Sequence, residues 1–137
     1  MLSSASKHSL IILGFLASAD SHDYYPVAEI AERTGTPAPY LSKLVMELVR
    51  AGILESKRGV RGGIRLNRDA CSVSLYEVCQ VVKDPVVKKE CVLREQACTP
   101  SNPCEYHAGC AEIDAIRGHL LRFLKDSKIG GLKATNC

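Results

Sequence analysis

The run Cys98-Thr-Pro-Ser-Asn-Pro-Cys104-Glu-Tyr-His-Ala-Gly-Cys110 constrains this chain more than any other stretch. Pro100 and Pro103 each fix a backbone torsion and remove a hydrogen-bond donor, so neither a helix nor a strand passes through it. A loop of Pro, Ser, Asn and Gly buries too little apolar surface to offset the entropy of ordering it. Three thiols, with five residues between each and the next, supply another means. Thiolates gathered on a metal centre order a loop that has no core of its own.

The remainder has the size and composition of one ordinary domain. With 137 residues, 46% of them hydrophobic, the chain can build a single core with an appendage. Five Tyr, two Phe and no Trp leave little material for a large aromatic pocket. The apolar run Leu10 to Ala17 is too short to span a bilayer and no cleavage pattern follows it, so we expect a cytoplasmic protein without a membrane role. Seven cysteines, an odd number, then point to metal or redox chemistry rather than a disulfide framework. The net charge of +3 is modest, but Lys57, Arg58, Arg61, Arg65 and Arg68 fall within twelve residues that contain no acid. Such a cluster is the electrostatic footprint of a phosphate-backbone partner.

Hydrophobic spacing gives the elements. Leu10, Leu13, Leu16 and Ala17 predict a helix over 6–19, and Ile11, Ile12 and Phe15 widen its apolar surface until it reads as the central helix of a small bundle. His8 stands near its start, facing outward, and 20–25 form a polar turn. A second helix runs from Val27 to Arg33 behind Pro26, and Gly35 suits the left-handed residue that ends it. Thr36 and Pro37 open a third helix, with Leu41, Leu44, Val45 and Leu48 inward and Gly52 as its stop. Two short helices across a glycine turn form a helix-turn-helix, whose second member enters the major groove of double-stranded DNA. Thr36, Tyr40, Ser42 and Lys43 are the residues we expect at base edges.

Two short β-compatible runs, 53–56 and 64–66, flank Lys57-Arg-Gly-Val-Arg-Gly-Gly63. Glycines make the reversal and arginines crown it, which describes a wing with Lys57, Arg58, Gly59 and Arg61 available to DNA. A fourth helix over 74–82 buries Leu75, Val78, Cys79 and Val82, with Cys79 acting as a small hydrophobe and Cys71 as a structural residue. Residues 86–97 show no clear period. From 111 to about 127, Ile113, Ile116, Leu120, Phe123 and Leu124 recur at helical spacing, and Gly130-Gly131 ends the pattern. A compact winged helix has its own core covered, so this stripe is expected to bury against a second copy in a twofold homodimer. Cys137, at the end, is expected to be a free thiol. The fold expected is thus mainly α: a winged helix-turn-helix (1–83) with a two-stranded wing, a cysteine-rich cluster-binding loop (84–110), and a long C-terminal dimerisation helix with its tail (111–137).

Cys98, Cys104 and Cys110 offer three soft ligands, enough for zinc or an iron–sulfur cluster. Their gaps are wider than the C-x2-C knuckles of structural zinc sites and suit a larger object, a 4Fe–4S or 2Fe–2S cluster. Zinc, or thiols that form regulatory disulfides, are the alternatives. No Ser/His/Asp set, phosphate loop, paired carboxylates or C-x-x-C is present, so we expect no enzyme.

Nearly the whole chain resembles the IscR, NsrR and RirA group of winged-helix regulators (the Rrf-two family). The resemblance rests on Tyr40-Leu41, on Ala51-Gly52-Ile53-Leu54, on the wing string Arg58-Gly59-Val60-Arg61-Gly62-Gly63-Ile64-Arg65-Leu66, and on the cysteine triplet with the helix after it. Asn102-Pro103-Cys104 followed by Cys110 looks most like the nitric-oxide-sensing branch. What the resemblance implies is a cytoplasmic repressor binding a palindromic operator as a homodimer, its long helices crossing, each subunit presenting a cysteine-bound cluster near the partner's first helix. It implies a fourth ligand that varies: a carboxylate near the other subunit's N-terminus in one branch, where this chain has His8, or a histidine shortly after the third cysteine in another, which is His107 if the set starts at Cys91; Cys91 could also complete a four-cysteine set. It implies a response to nitric oxide, redox state or iron–sulfur status.

Overall fold

The computed structural model describes residues 1–19, 23–88, 90–91, 93, 96 and 98–132. The expectation for Cys137, part of the polar turn at 20–22, and five positions of the aperiodic stretch 86–97 lie outside the described residues.

Helix α1 (Ser4–Ser18) begins where Ser3 caps it, the Ser3 hydroxyl accepting from the Ser6 amide at 3.2 Å. Ile12 and Leu13 are fully buried and Leu16 nearly so, which makes this helix the centre of the domain as its breadth of apolar surface predicts. Helix α2 (Val27–Thr34) ends at Gly35, whose φ of 67° is the left-handed conformation that a side chain resists. Helix α3 (Ala38–Arg50) starts after Pro37, with Pro39 in its first turn, so Pro37 rather than Thr36 occupies the capping position. Leu41, Leu44, Val45 and Leu48 face the core as their spacing requires.

Strands β1 (Leu54–Lys57) and β2 (Gly63–Leu66) pair antiparallel, with Leu54 opposite Leu66 and Lys57 opposite Gly63. The wing also docks on its own domain, because Tyr25 and Ile64 exchange two backbone hydrogen bonds of 2.9 Å. That approach needs Gly63: a Cβ there would lie 2.1 Å from the Tyr25 carbonyl oxygen, at a φ of 146°.

A short 3-10 turn (Ala70–Ser72) leads into α4 (Leu75–Val81), capped by Ser74, whose hydroxyl accepts from the Glu77 amide at 3.1 Å. Cys79 is fully buried, as expected of a small hydrophobe. Asp84 and Pro85 end this part, and a second 3-10 turn (Pro85–Val87) opens the cysteine segment.

Helix α5 (His107–Asp126) begins four residues earlier than periodicity indicates, so Cys110 lies inside its first turn or so rather than ahead of it. Its two faces differ. Leu124 is fully buried, and the following 3-10 turn (Ile129–Gly131) carries Ile129 into the same core through the bond from its amide to the Val73 carbonyl. The C-terminal end therefore belongs to the winged-helix core of its own chain, the alternative to burial of the whole stripe against a second copy. Ile116 and Phe123, by contrast, stand 65% and 59% exposed. Among the described residues no helix is long and apolar enough to cross a membrane.

Candidate functional site

Two groups of side chains carry chemistry, and different forces position them. The first lies on α3 and the wing. Ser42 and Lys43 are exposed on the N-terminal half of α3, the Ser42 hydroxyl donating to the Ala38 carbonyl at 3.0 Å. Tyr40 is half-buried, and the His8 ring meets it edge-on at 5.3 Å between centroids. Thr36 departs from expectation: it is only 2% exposed and its hydroxyl lies 3.1 Å from that of Thr34. It packs inside the turn between the two helices, so its contribution is to that turn and not to a base edge.

Lys57, Arg58, Gly59 and Arg61 are all exposed around the wing tip. The basic cluster of the sequence is less uniform in space than along the chain. Arg65 pairs with Glu55 and stacks on the Tyr24 ring at 4.4 Å, and Arg68 pairs with Glu77. These two arginines brace the wing and its exit. The Tyr24 hydroxyl donates to Glu55 at 2.6 Å, and that bond, with the one from Arg65, holds the Glu55 carboxyl below the usual range. Arg58 and Arg61 are exposed at the tip, and exposed Lys57 holds its ammonium 5.6 Å from the Tyr24 ring centroid, so three cations gather around one tip as phosphate contacts require.

The second group is the cysteine segment. Pro100 and Ser101 sit in a tight turn closed by bonds between Thr99 and Asn102, with the Asn102 amide donating to the Thr99 carbonyl at 3.0 Å. The turn folds the chain back, so Cys98 and Cys104 come together from its two sides. Cys110 follows as the fourth residue of helix α5. The sulfur atoms of Cys91, Cys98, Cys104 and Cys110 all lie within 4.8 Å of one another. Cys104 is the hub, 3.9 Å from Cys91 and 3.9 Å from Cys110. The triplet is thus brought together as its spacing indicates, and Cys91 joins it from the aperiodic stretch.

The two histidines take different places. His107 Nδ1 is 3.1 Å from the Cys98 sulfur, at the edge of the group. His8 lies on α1, with Nδ1 2.8 Å from the Ser4 carbonyl oxygen. The thiols titrate unequally. A bond from the Cys104 backbone amide, then the contact with His107, lowers the Cys98 thiol to about 7. Removal from water, then the adjoining sulfurs of Cys104 and Cys98, pushes Cys110 up to about 12. Several thiolates this close repel one another unless a cation lies between them.

Four soft donors on one side of a loop suit a thiophilic metal. Their spacing also measures the occupant. A metal–sulfur bond of about 2.3 Å puts tetrahedral sulfurs about 3.8 Å apart, close to the 3.9 Å separations found around Cys104. An iron–sulfur cluster spreads its thiolates further, since each iron takes its own. A cleft of ≈ 370 Å³ beside Cys91, Cys98 and Cys110 offers room for that spreading. The donor chemistry fits either occupant.

The family model described as Rrf2, iron-dependent transcriptional regulator, matches residues 2–127. The regulator IscR of Photorhabdus laumondii is 31% identical over 120 residues, which are 87% of this chain and 73% of that one. Among solved structures, CymR, the global cysteine regulator of B. subtilis, superposes with a TM-score of 0.79 at 21% identity, covering 100% of this chain and 98% of that chain. T. potens IscR gives 0.74 at 20% identity, covering 97% and 86%.

Proposed function

This chain is a transcriptional regulator of the Rrf2 family, and from that premise we propose that it represses transcription by gripping a palindromic DNA operator as a homodimer, with a grip set by a cysteine-held metal centre. The observation that carries the reading is the convergence of four thiols within 4.8 Å on a chain that is otherwise a winged helix-turn-helix.

Tyr40, Ser42 and Lys43 approach bases, while Lys57, Arg58 and Arg61, with the backbone at Gly59, hold phosphates. The exposed Ile116 and Phe123 supply an apolar surface for the second subunit. Asp84 joins the two regions. Its carboxylate accepts from the Ser3 amide at 2.8 Å and the Ser6 hydroxyl at 2.5 Å, and on its other oxygen from the Val86 amide at 2.8 Å. It therefore ties the start of α1 to the start of the cysteine segment. A change at the sulfurs is passed through this joint and α5 to the spacing of the two recognition helices. The metal-loaded form is the one that binds DNA more tightly.

Two occupants draw on different support. The iron-dependent description of the family and the IscR-named relatives favour an iron–sulfur cluster, 4Fe–4S or 2Fe–2S, that senses nitric oxide, redox state or cluster supply. A single zinc-type ion is favoured by the sulfur spacing, and a thiol switch by the likeness to a cysteine regulator. A bound metal would supply a Lewis-acidic centre whose bonds to thiolate are open to oxidation or nitrosylation, and Cys91, Cys98, Cys104 and Cys110 are the donors that would hold it. Anaerobic purification with a visible spectrum and iron, sulfide and zinc analysis separates them. Iron with sulfide supports the cluster, and zinc without sulfide supports the single ion. A chain that takes up neither leaves the thiols as the sensor and overturns the metal centre.

A further inference from the structure

The wing is attached to its domain on both of its faces. On the inner face Leu54 and Ile64 are each 1% exposed and enter the core. Side chains alternate along a strand, so Glu55 and Lys57 of β1 share the outer face with Arg65 of β2, which stands opposite Glu55 in the register. That outer face meets Tyr24, in the segment between α1 and α2, a residue with no part in the DNA contacts assigned above. We propose that Tyr24 is a positioning residue for DNA binding: it clamps the outer face of the wing, so that Arg58 and Arg61 are held at the distance from α3 that one stretch of duplex requires. The inference rests on the DNA-binding reading given above and adds to it a residue that touches no DNA.

Three observations carry it. First, Tyr24 spans both strands. Its hydroxyl donates to Glu55 on β1 at 2.6 Å, and its ring carries the Arg65 guanidinium of β2 at 4.4 Å and the Lys57 ammonium at 5.6 Å. Arg65 also pairs with Glu55, which closes a triangle of three side chains. The bond to Glu55 raises the Tyr24 hydroxyl above its ordinary value, so the phenol stays a donor at neutral pH.

Second, Tyr24 is anchored from behind. Its neighbour Tyr25 exchanges two backbone bonds of 2.9 Å with Ile64 and meets the Phe15 ring of α1 edge-on at 5.5 Å. Third, the tip follows its strands. The Gly62 amide donates to the Gly59 carbonyl at 3.0 Å, and a Cβ at Gly62 would lie 2.3 Å from the Lys57 carbonyl oxygen. A turn closed this tightly moves with the strands that carry it, so what orients Glu55 and Arg65 orients Arg58 and Arg61.

Without the clamp the tip samples more poses, and DNA selects the productive one from among them. The cost then falls on affinity and not on the number of phosphates met.

The test measures the affinity of the full chain for one duplex selected from a random pool, across a range of salt concentrations. We expect Tyr24→Ala to keep the parent's circular dichroism and to bind on the order of 10-fold more weakly, with an unchanged salt slope. Tyr24→Phe keeps the ring and loses only the bond to Glu55, so its loss is smaller, about 2–5-fold. With Arg58 and Arg61 both replaced by alanine, Tyr24→Ala should cost less than about 2-fold, because the cations it positions are gone. A folded Tyr24→Ala that binds within about 2-fold of the parent overturns the proposal. So does an undiminished loss in the Arg58→Ala/Arg61→Ala background, which would make Tyr24 a DNA contact in its own right. Should Tyr24→Ala fail to fold, Glu55→Gln decides by the same two criteria, with an expected loss of about 2–5-fold. Failure of the broader reading looks different: a parent chain that enriches no duplex removes the DNA-binding reading itself.

Discussion

In the helix-turn-helix, Leu41, Leu44 and Leu48 are at most 3% exposed and fix α3 from beneath, whereas none of the four clustered cysteines is buried. The first region takes its geometry from apolar area removed from water, a force present in every state of the folded chain. The second takes its geometry from the turn at 99–102 and the start of α5, and brings together sulfur donors whose mutual repulsion as thiolates a cation would relieve. If the proposed metal centre holds, the second region would lose order when its ion leaves, while its neighbour would not. That asymmetry gives a regulator one constant part and one variable part.

Variants that remove one kind of support and leave the other test the asymmetry. The largest effect is expected from Leu48→Ala, a fully buried position in the shared core. It should cost about 2–5 kcal/mol in denaturant unfolding and take both regions down together, because Leu124 and Ile129 pack in that same core. Cys104→Ser removes the hub sulfur. Metal affinity should fall on the order of 100-fold, while the stability of the metal-free protein stays within about 0.5 kcal/mol. A large loss of metal-free stability would show that the cysteine segment supports the core.

Asp84→Asn acts on the joint between the regions. Burial by itself raises this carboxyl, but hydrogen bonds from the Ser6 hydroxyl, the Val86 amide and Ser3 outweigh burial and hold it below its ordinary value. Its contribution is therefore present above the unfolded carboxyl's value near about 3.9 and is lost as pH falls through the lower folded value. We expect Asp84→Asn to cost about 1–3 kcal/mol at neutral pH, with the gap to the parent narrowing in acid below about pH 4. The smallest effect belongs to Arg58→Ala or Arg61→Ala at the wing tip. Each should lower the slope of DNA affinity against salt by about one unit and leave the fold alone.

The sequence disclosed these regions unequally for the same physical reason. Helix α3 was readable from Leu41, Leu44, Val45 and Leu48, because a repeated apolar step has one conformational solution. Gly35 and Gly63 were readable as turns, although Gly63's close approach to Tyr25 needs the folded wing to be seen. Thr36 misled, since a threonine ahead of a proline reads as an exposed cap and here is buried in the turn. The return of Ile129 to the core was hidden behind two glycines that read only as a stop. Cys98, Cys104 and Cys110 stood out by even spacing, whereas Cys91 entered only as one candidate among three, because its place depends on backbone bonds to Gln96 and, through Glu90, to Arg117. A thiol positioned by nonlocal hydrogen bonds leaves no period in the sequence.

The central claim is that the state of the sulfur site sets the grip on DNA. Its most direct test is the affinity of the full chain, metal-loaded and metal-free, for one duplex selected from a random pool, measured at a single fixed salt concentration. The account predicts tighter binding by the loaded form, by roughly 5–150-fold, the usual range of coupling between two sites. Equal affinity of the two forms would contradict it.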